Sequence, residues 1–509
     1  MSTRCFSADV EGVTAHLVEV EVRIEDAAPR FVIVGLPDAA VRESRDRVRM
    51  AIDASGFDFP REVMVLVNLA PASRRKVGPV YDLPIALGVL SAAGFLAADR
   101  LSSHVAIGEL ALDGRVRPVR GALAVASRLA NGDHRPLLVP VGNAREAALC
   151  RGTRVVPVRS LAEAVGHLSG QSPLPAESFD PSSLLAAADP EQEDLADVHG
   201  QHLARRAIEI AAAGGHHLLL VGPPGAGKTM LARRIAGILP PLTPEEALEA
   251  TLVHSVAGEL PARGIVATRP FRAPHHSISM AGLIGGGPAG RPGEASLAHQ
   301  GVLFLDELPE FDRRTVDALR QPLEEGRVRI SRVRYALHLP SRFELVAAMN
   351  PCRCGMFGVP DGECRCTPIQ VAAYRSRVSG PLLDRIDIRV EVGRVRYRDL
   401  HGAREESSAD VRRRVLAARE AQAARYPCTT WSTNAAIPGK RLAEHCPLDS
   451  AGREALRTAM DRFGLTARGH DRVLRVARTI ADLSGRETVT GDSVAEALLY
   501  RGQPGGSPG

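Results

Sequence analysis

Residues 222–229 read Gly-Pro-Pro-Gly-Ala-Gly-Lys-Thr, and residues 302–307 read Val-Leu-Phe-Leu-Asp-Glu. The first stretch has the glycine spacing of a Walker A loop. The second is an apolar strand ending in the acid pair of a Walker B motif. Together they predict a nucleotide-triphosphate site fuelled by ATP or GTP. Gly222, Gly225 and Gly227 allow backbone N–H groups to curl around phosphates at a helix N-terminus, where the dipole favours anions. Lys228 is expected to reach the β- and γ-phosphates, and the Thr229 hydroxyl and Asp306 to hold Mg²⁺. Glu307 is then placed to polarise the attacking water as a general base. The expected nucleotide contacts are Gly222, Pro223, Pro224, Gly225, Ala226, Gly227, Lys228, Thr229 and Met230. Working outward, 216–221 reads as the strand entering the loop and 230–239 as the helix leaving it.

The rest of the 509-residue chain is organised around this centre. Its length suggests about three domains, and 45% hydrophobic residues suffice for several cores. A net charge of +5 is small for the length and permits nucleic-acid contact without demanding it. The cations are overwhelmingly Arg, which suits bidentate phosphate contacts but is also what a GC-rich genome produces. Residues 1–10 lack the basic head and apolar core of a secretory signal. No apolar run reaches the ~18 residues of a membrane span. The cytoplasm is therefore the expected compartment, and its reducing conditions argue against reading the eight cysteines as a disulfide scaffold.

Residues 1–168 alternate strands (17–24, 30–34, 63–68, 105–110, 136–140) with helices (39–54, 83–93, 121–131), which predicts an α/β or α+β domain. Residues 169–195, rich in Ser, Pro, Ala, Asp and Glu, read as an exposed linker. Residues 196–398 hold the nucleotide motifs in βα alternation and predict a parallel sheet in a three-layer αβα domain. Residues 399–501 read as helical with short breaks, and 502–509 as a disordered tail.

Downstream of the Walker motifs, Asn350 ends the apolar run Ala347-Ala-Met and is placed beside the Walker B strand to hold the attacking water; a turn before Pro351 is the alternative. Arg385, in Gly380-Pro-Leu-Leu-Asp-Arg-Ile-Asp, suits an arginine finger acting on a neighbouring subunit and implies a ring; an ion pair with Asp384 or Asp387 is the alternative. Arg468, in Thr466-Ala-Arg-Gly, is the candidate for a lid arginine over the nucleotide, with Arg472 one turn on as competitor. Asp197-Val-His-Gly-Gln201 precedes a helix and is placed near the expected base.

This ordered set resembles the AAA+ pattern. At closer range, Arg269-Pro-Phe-Arg-Ala-Pro-His-His-Ser-Ile-Ser, Gly301-Val-Leu-Phe-Leu-Asp-Glu-Leu-Pro-Glu-Phe, Gln321-Pro-Leu-Glu-Glu-Gly and Ser379-Gly-Pro-Leu-Leu-Asp-Arg-Ile-Asp resemble the magnesium-chelatase-like ATPases of the YifB/ComM family. The resemblance implies ATP and Mg²⁺ as cofactors, a homo-hexameric ring, and Lys228, Asp306, Glu307, Asn350, Arg385 and Arg468 as the catalytic set. Its ComM branch implies DNA as substrate, through branch migration or helicase-like action in recombination or transformation. The magnesium chelatases imply the alternative, a motor remodelling a protein partner.

Residues 254–299 resemble the helix-2 insert of magnesium chelatase and the MCM helicases. Within it, His275 and His276 are neighbours that point apart, so polar contacts inside the insert are expected rather than a shared metal. Residues 327–338 alternate with period 2 over two short strands broken near Ser331 and resemble the pore hairpin before sensor 1. Arg327 and Arg329 fall on one face and Arg332 and Arg334 on another. They suit DNA phosphates or pairing with Glu324 and Glu325. Cys352-Arg-Cys354, nine residues, then Cys364-Arg-Cys366 supply four thiolates for a structural Zn²⁺, or simply reduced thiols in a loop. Finally, 74–90 and 108–121 resemble the proteolytic domain of Lon. Val80 follows Gly78-Pro79 where that family has its Ser, and Leu123 stands near its Lys, so the fold is expected without the dyad. A basic edge of Arg74, Arg75, Lys76, Arg115, Arg117 and Arg120 is expected alongside.

Overall fold

The computed structural model describes residues 2–180, 193–287, 290–332, 335–359, 363–395, 397, 405–427, 429 and 431–501. The nucleotide unit is built on a five-stranded sheet, ordered Phe271–Arg272, Gly301–Leu305, Phe343–Met349, Leu218–Val221, Ile388–Glu391, with every neighbour pair parallel. Gly301–Leu305 is buried along its whole length, as expected for a parallel strand covered on both faces. The predicted strands 216–221 and 302–305 are found at Leu218–Val221 and Gly301–Leu305, and the loop helix at Lys228–Ile238.

The strand order matters for chemistry. Phe343–Met349 lies between the two Walker strands, pairing Val221 with Met349 on one side and Leu305 with Ala347 on the other. Gly222, Asp306 and Asn350 each follow one of these strands, so all three emerge at one edge of the sheet. That edge, at the carboxyl ends of parallel strands, is where open α/β sheets bind ligands.

The first 168 residues form a seven-stranded mixed sheet, ordered Arg30–Val34, Met64–Ala70, Thr14–Glu25, Ser2–Glu11, Val105–Ala106, Leu137–Pro140, Val155–Val158. Ser2–Glu11 and Val155–Val158 went unread in the sequence. The helix Asp82–Ala92 is buried at every position, as its nearly continuous apolar sequence requires. The two units share an apolar cluster: Leu242, Ala247, Ala250, Ile265 and Val266 pack with Leu123, Val125 and Leu137. Within the expected linker, the Glu177 N–H donates to the Val155 carbonyl at 2.8 Å and Phe179 packs on that cluster. The region 181–192 and the tail 502–509 lie outside the described residues.

Of the expected basic edge, Arg75, Arg115, Arg117 and Arg120 are exposed, while Lys76 is not and three of the arginines have acidic partners. Lys76 is buried, its ammonium donating to the Pro71 and Arg74 carbonyls. Arg74 pairs with Glu11 at 3.3 Å, Arg115 with Asp113 at 2.7 Å and Arg117 with Glu109 at 3.4 Å. Asp113 and Glu109 lie within eight residues of their arginines, whereas Glu11 is 63 residues from Arg74, a pairing that a run of cations in sequence does not reveal.

The C-terminal region is helical, with main helices Ser408–Arg425, Ser450–Phe463, Ala467–Leu483 and Gly491–Leu499. Val415, Ala418, Val473 and Ala477 join the core around the helix His202–Gly214. A buried polar network ties the joint. His216 Nε2 lies 2.8 Å from Thr479 Oγ1, Asn434 donates to Asp482 at 2.8 Å, and Asp482 accepts from Arg425 at 2.6 Å and Arg478 at 2.9 Å. Among the described residues no helix is long and apolar enough to cross a membrane.

Candidate functional site: a phosphate-loop cavity

A cavity of about 480 Å³ opens at the sheet edge, lined by Pro224 to Met230, Asp306, Glu307, Met349 and Asn350. Its floor is the N-terminus of Lys228–Ile238, entered through Gly225 and Gly227 at φ +75° and +86°, a backbone that other residues rarely adopt. Gly222 is needed for a different reason: a Cβ there would sit 2.2 Å from the Val392 carbonyl oxygen.

Lys228 donates to the Gly222 carbonyl at 2.7 Å, to the Pro223 carbonyl at 2.9 Å and to Asn350 Oδ1 at 3.1 Å. Burial lowers its pKa, and the charges of Asp306 and Glu307 oppose that shift. The ammonium thus bridges the loop and Asn350, where an incoming phosphate can take it over. Thr229 Oγ1 donates to Asp306 Oδ2 at 2.6 Å. Two hard oxygen donors in contact at the cavity wall fit Mg²⁺, whose other positions would go to phosphate and water. Glu307 has φ +52°, an uncommon backbone for a non-glycine residue and of a kind that gathers at functional sites. Its N–H donates to Asp306 Oδ1 at 2.9 Å, which orients the Asp306 carboxylate.

Gln201, at φ +54°, donates to the Gly393 carbonyl at 2.5 Å and lies 3.5 Å from the Ala226 carbonyl. This brings the 197–201 stretch against the phosphate loop. Arg385 does not line the cavity. Its guanidinium pairs with Glu324 and donates to the Pro381 carbonyl at 2.6 Å, so the ion-pair alternative named the wrong carboxylates. Asp387 lies instead 3.2 Å from His216. Arg468 is exposed in the first turn of Ala467–Leu483, and Arg472 lies 4.0 Å from Asp387. Neither lines the cavity in the single chain.

His276 is a site neighbour that the sequence does not signal. The expected contacts within the insert hold for His275, bonded to Ser277 at 2.8 Å. The two rings do not point apart: their centroids are 4.0 Å from one another, and His276 Nδ1 also lies 3.8 Å from Glu307 Oε2. No local signal marks a contact between residues 31 positions apart. A larger cavity, 590 Å³, also uses His276, with Phe311, Asp312 and Arg377. It lacks the phosphate loop that lines the smaller one.

The hairpin pairs Arg327–Arg332 with Tyr335–Pro340. Strand pairing continues through Ser331 to Arg332, so the expected break near Ser331 is misplaced. Arg327 and Arg329 are exposed while Val328, Leu337 and Leu339 are buried, and Arg329 pairs with Glu325 at 3.1 Å. The Arg332 side chain and the whole of Arg334 lie outside the described residues. Cys352, Cys354, Cys364 and Cys366 come together behind Asn350, their ligand atoms all within 4.8 Å of one another.

A parallel sheet with the Asn350 strand between the Walker strands, and a Lys–Thr–Asp–Glu–Asn constellation at its edge, defines an AAA+-like P-loop fold. Family models agree along the chain: "Magnesium chelatase, subunit ChlI" over 194–400, "Subunit ChlI of Mg-chelatase" over 20–143 and "Magnesium chelatase, subunit ChlI C-terminal" over 405–501. The chain is 44% identical to the competence protein ComM of Haemophilus influenzae over 96% of its own length and 95% of that protein's. It is 43% identical to the uncharacterized protein YifB of Escherichia coli over 96% and 95%, and 45% identical to an uncharacterized protein of Mycobacterium tuberculosis over 98% of both. The chain belongs to the magnesium-chelatase-like YifB/ComM family.

Proposed function

We propose that this protein is an ATP-hydrolysing AAA+ ring motor that acts on DNA. The observation that carries the hydrolysis is the meeting of Lys228, Thr229, Asp306, Glu307 and Asn350 around one phosphate-sized cradle. In this reading Lys228 leaves its carbonyl partners for the β- and γ-phosphates. Thr229 and Asp306 hold Mg²⁺, which neutralises developing phosphate charge when bound. Glu307 accepts the proton of the attacking water, and Asn350 orients that water. Arg385 completes the site of the next subunit, which requires a ring; a homo-hexamer is the family's form. Arg468 closes the lid over the nucleotide.

DNA is favoured by the exposed Arg327 and Arg329 on the hairpin strand Arg327–Arg332 and by the similarity to a protein named for competence. The same reading assigns 1–168 to a Lon-protease-like unit without the proteolytic dyad, 196–398 to the motor core and 399–501 to the lid, working in the cytoplasm. Similarity to the ChlI family models favours a second reading, a motor that remodels a protein partner.

Strand exchange on a synthetic four-way DNA junction, with ATP hydrolysis followed in the same tube, separates the two. ATP-dependent product, DNA-stimulated turnover and loss of both in Glu307→Gln support the DNA motor. Turnover indifferent to DNA, with no product, refutes it in favour of the protein-remodelling reading.

A further inference from the structure

We infer that Cys352, Cys354, Cys364 and Cys366 bind one Zn²⁺, and that this metal fixes the loop carrying Asn350 against the phosphate loop. The consequence for nucleotide chemistry rests on the function proposed above; the metal site itself does not.

The sulfur positions fit a single tetrahedral ion, and four thiolates suit Zn²⁺. Cys352 Sγ lies 3.3 Å from Cys354 Sγ and 3.7 Å from Cys364 Sγ, and the latter two are 3.6 Å apart. Four thiolates around a tetrahedral zinc at about 2.3 Å place their sulfurs about 3.8 Å from one another. Three of the sulfurs stand slightly inside this spacing, and Cys366 Sγ completes the set within 4.8 Å of the others. An iron–sulfur cube would hold its thiolates far more widely. All four are free thiols, and each releases its proton to solvent as its sulfur joins the metal; no oxidation state changes. The Phe357 N–H donates to Cys352 Sγ at 3.3 Å, holding that sulfur in the cluster. Gly355 turns the chain at φ +79°.

The site sits at a junction. The strand Phe343–Met349 ends, Asn350 and Pro351 follow, and Cys352 is next. At the other side Cys366 precedes Thr367, which caps the helix Pro368–Arg375 with a reciprocal Gln370 contact. That helix reaches back through Arg375, which donates to the Pro351 carbonyl at 3.1 Å and lies 5.0 Å over the Phe357 ring. One ion would therefore staple the end of the strand to the start of the helix. The stapled loop touches the motor: a Cβ on Gly355 would stand 2.4 Å from Pro224 Cδ. Asn350, two residues before the first ligand, holds Lys228. Without the ion, an excursion with few apolar side chains must hold both contacts by itself.

The test uses the full-length protein and no nucleotide. Elemental analysis should find about one zinc per chain, and the Cys354→Ser/Cys364→Ser double variant should hold none. Cobalt exchanged into the wild-type protein should give the intense ligand-field absorption of a tetrahedral thiolate site. This readout stands even if the variant misfolds. Removing zinc from the wild-type protein should speed hydrogen exchange of the 350–359 and 222–228 amides at least tenfold, and zinc should restore their protection. Failure to retain zinc after reconstitution, iron in its place, or a six-coordinate cobalt spectrum overturns the site. Retained zinc with unchanged 222–228 exchange on its removal overturns the coupling.

Discussion

Arg385 is the residue whose removal tests the ring most directly. In the single chain its guanidinium is held by Glu324 and by the Pro381 carbonyl, with the Arg385 side chain 16% exposed and that of Glu324 61% exposed. A carboxylate so open to water makes the pair worth about 0–1 kcal/mol. Freeing the arginine for a neighbour's γ-phosphate therefore costs no more than about a fivefold loss of available fingers. A finger contributes about 10³–10⁵ in turnover, or about 4–7 kcal/mol. The gain at the neighbour's phosphate outweighs the cost of breaking the pair. Arg385→Ala should lower phosphate release at saturating ATP by at least about 10³-fold while nucleotide affinity, read by titration with a fluorescent ATP analogue, stays put. Glu324→Gln should change turnover by less than about fivefold, and upward. Mixing Arg385→Ala with Lys228→Ala subunits pairs intact cavities with intact fingers. In a randomly mixed ring half the cavities are intact, and half of those meet a finger, so about a quarter of wild-type turnover should return. A finger acting in trans fails this test if Arg385→Ala stays within about tenfold of wild type. It also fails if mixed rings form and recover nothing, or if Glu324→Gln loses as much as Arg385→Ala, which would make the pair itself the functional feature.

Glu307→Gln should bind ATP as the wild type does yet hydrolyse it about 10²–10⁴-fold more slowly, measured by single-turnover phosphate release; normal turnover would remove Glu307 as the base. The Arg327→Ala/Arg329→Ala variant should lower the slope of log affinity for duplex DNA against log salt by about 2, since each lost phosphate contact removes about 0.9; an unchanged slope would take the hairpin off the DNA. Asp9→Asn tests a half-buried carboxylate in the N-terminal sheet. Burial, opposed by Tyr81 and Lys76, pushes the Asp9 pKa up to about 6. The folded state thus binds this proton more tightly than the unfolded chain, so its stabilising effect is full below about pH 4 and lost as pH rises through about 6. The contribution is at most about 3 kcal/mol, from about 1.4 kcal/mol per pH unit. Denaturant unfolding between pH 4 and pH 7 should show a shallower fall for Asp9→Asn than for wild type, and parallel profiles would contradict the assignment.

The parts legible in the sequence were those whose chemistry is local. Glycines at fixed spacing before Lys228-Thr229 specify a turn into a helix, and an unbroken apolar run before Asp306-Glu307 specifies a strand buried on both faces. The chain therefore announced its nucleotide loop, its acid pair and its helical C-terminal region without any tertiary information. Ser2–Glu11 was missed because its alternation is interrupted by polar residues that only the neighbouring strand and the buried helix Asp82–Ala92 explain. What the tertiary structure alone decided are contacts between residues far apart in the chain: Glu324 rather than Asp384 or Asp387 against Arg385, His276 against Glu307, Gly355 against Pro224, and an apolar seam joining the N-terminal sheet to Leu242–Val266 side chains. The physical reason is the same in each case. Backbone propensity and hydrophobic period act over a few residues, whereas the partner of a side chain depends on where the sheet order and the helix packing deliver it. The sheet places Phe343–Met349 between the two Walker strands, and this long-range choice turns three separate motifs into one cavity.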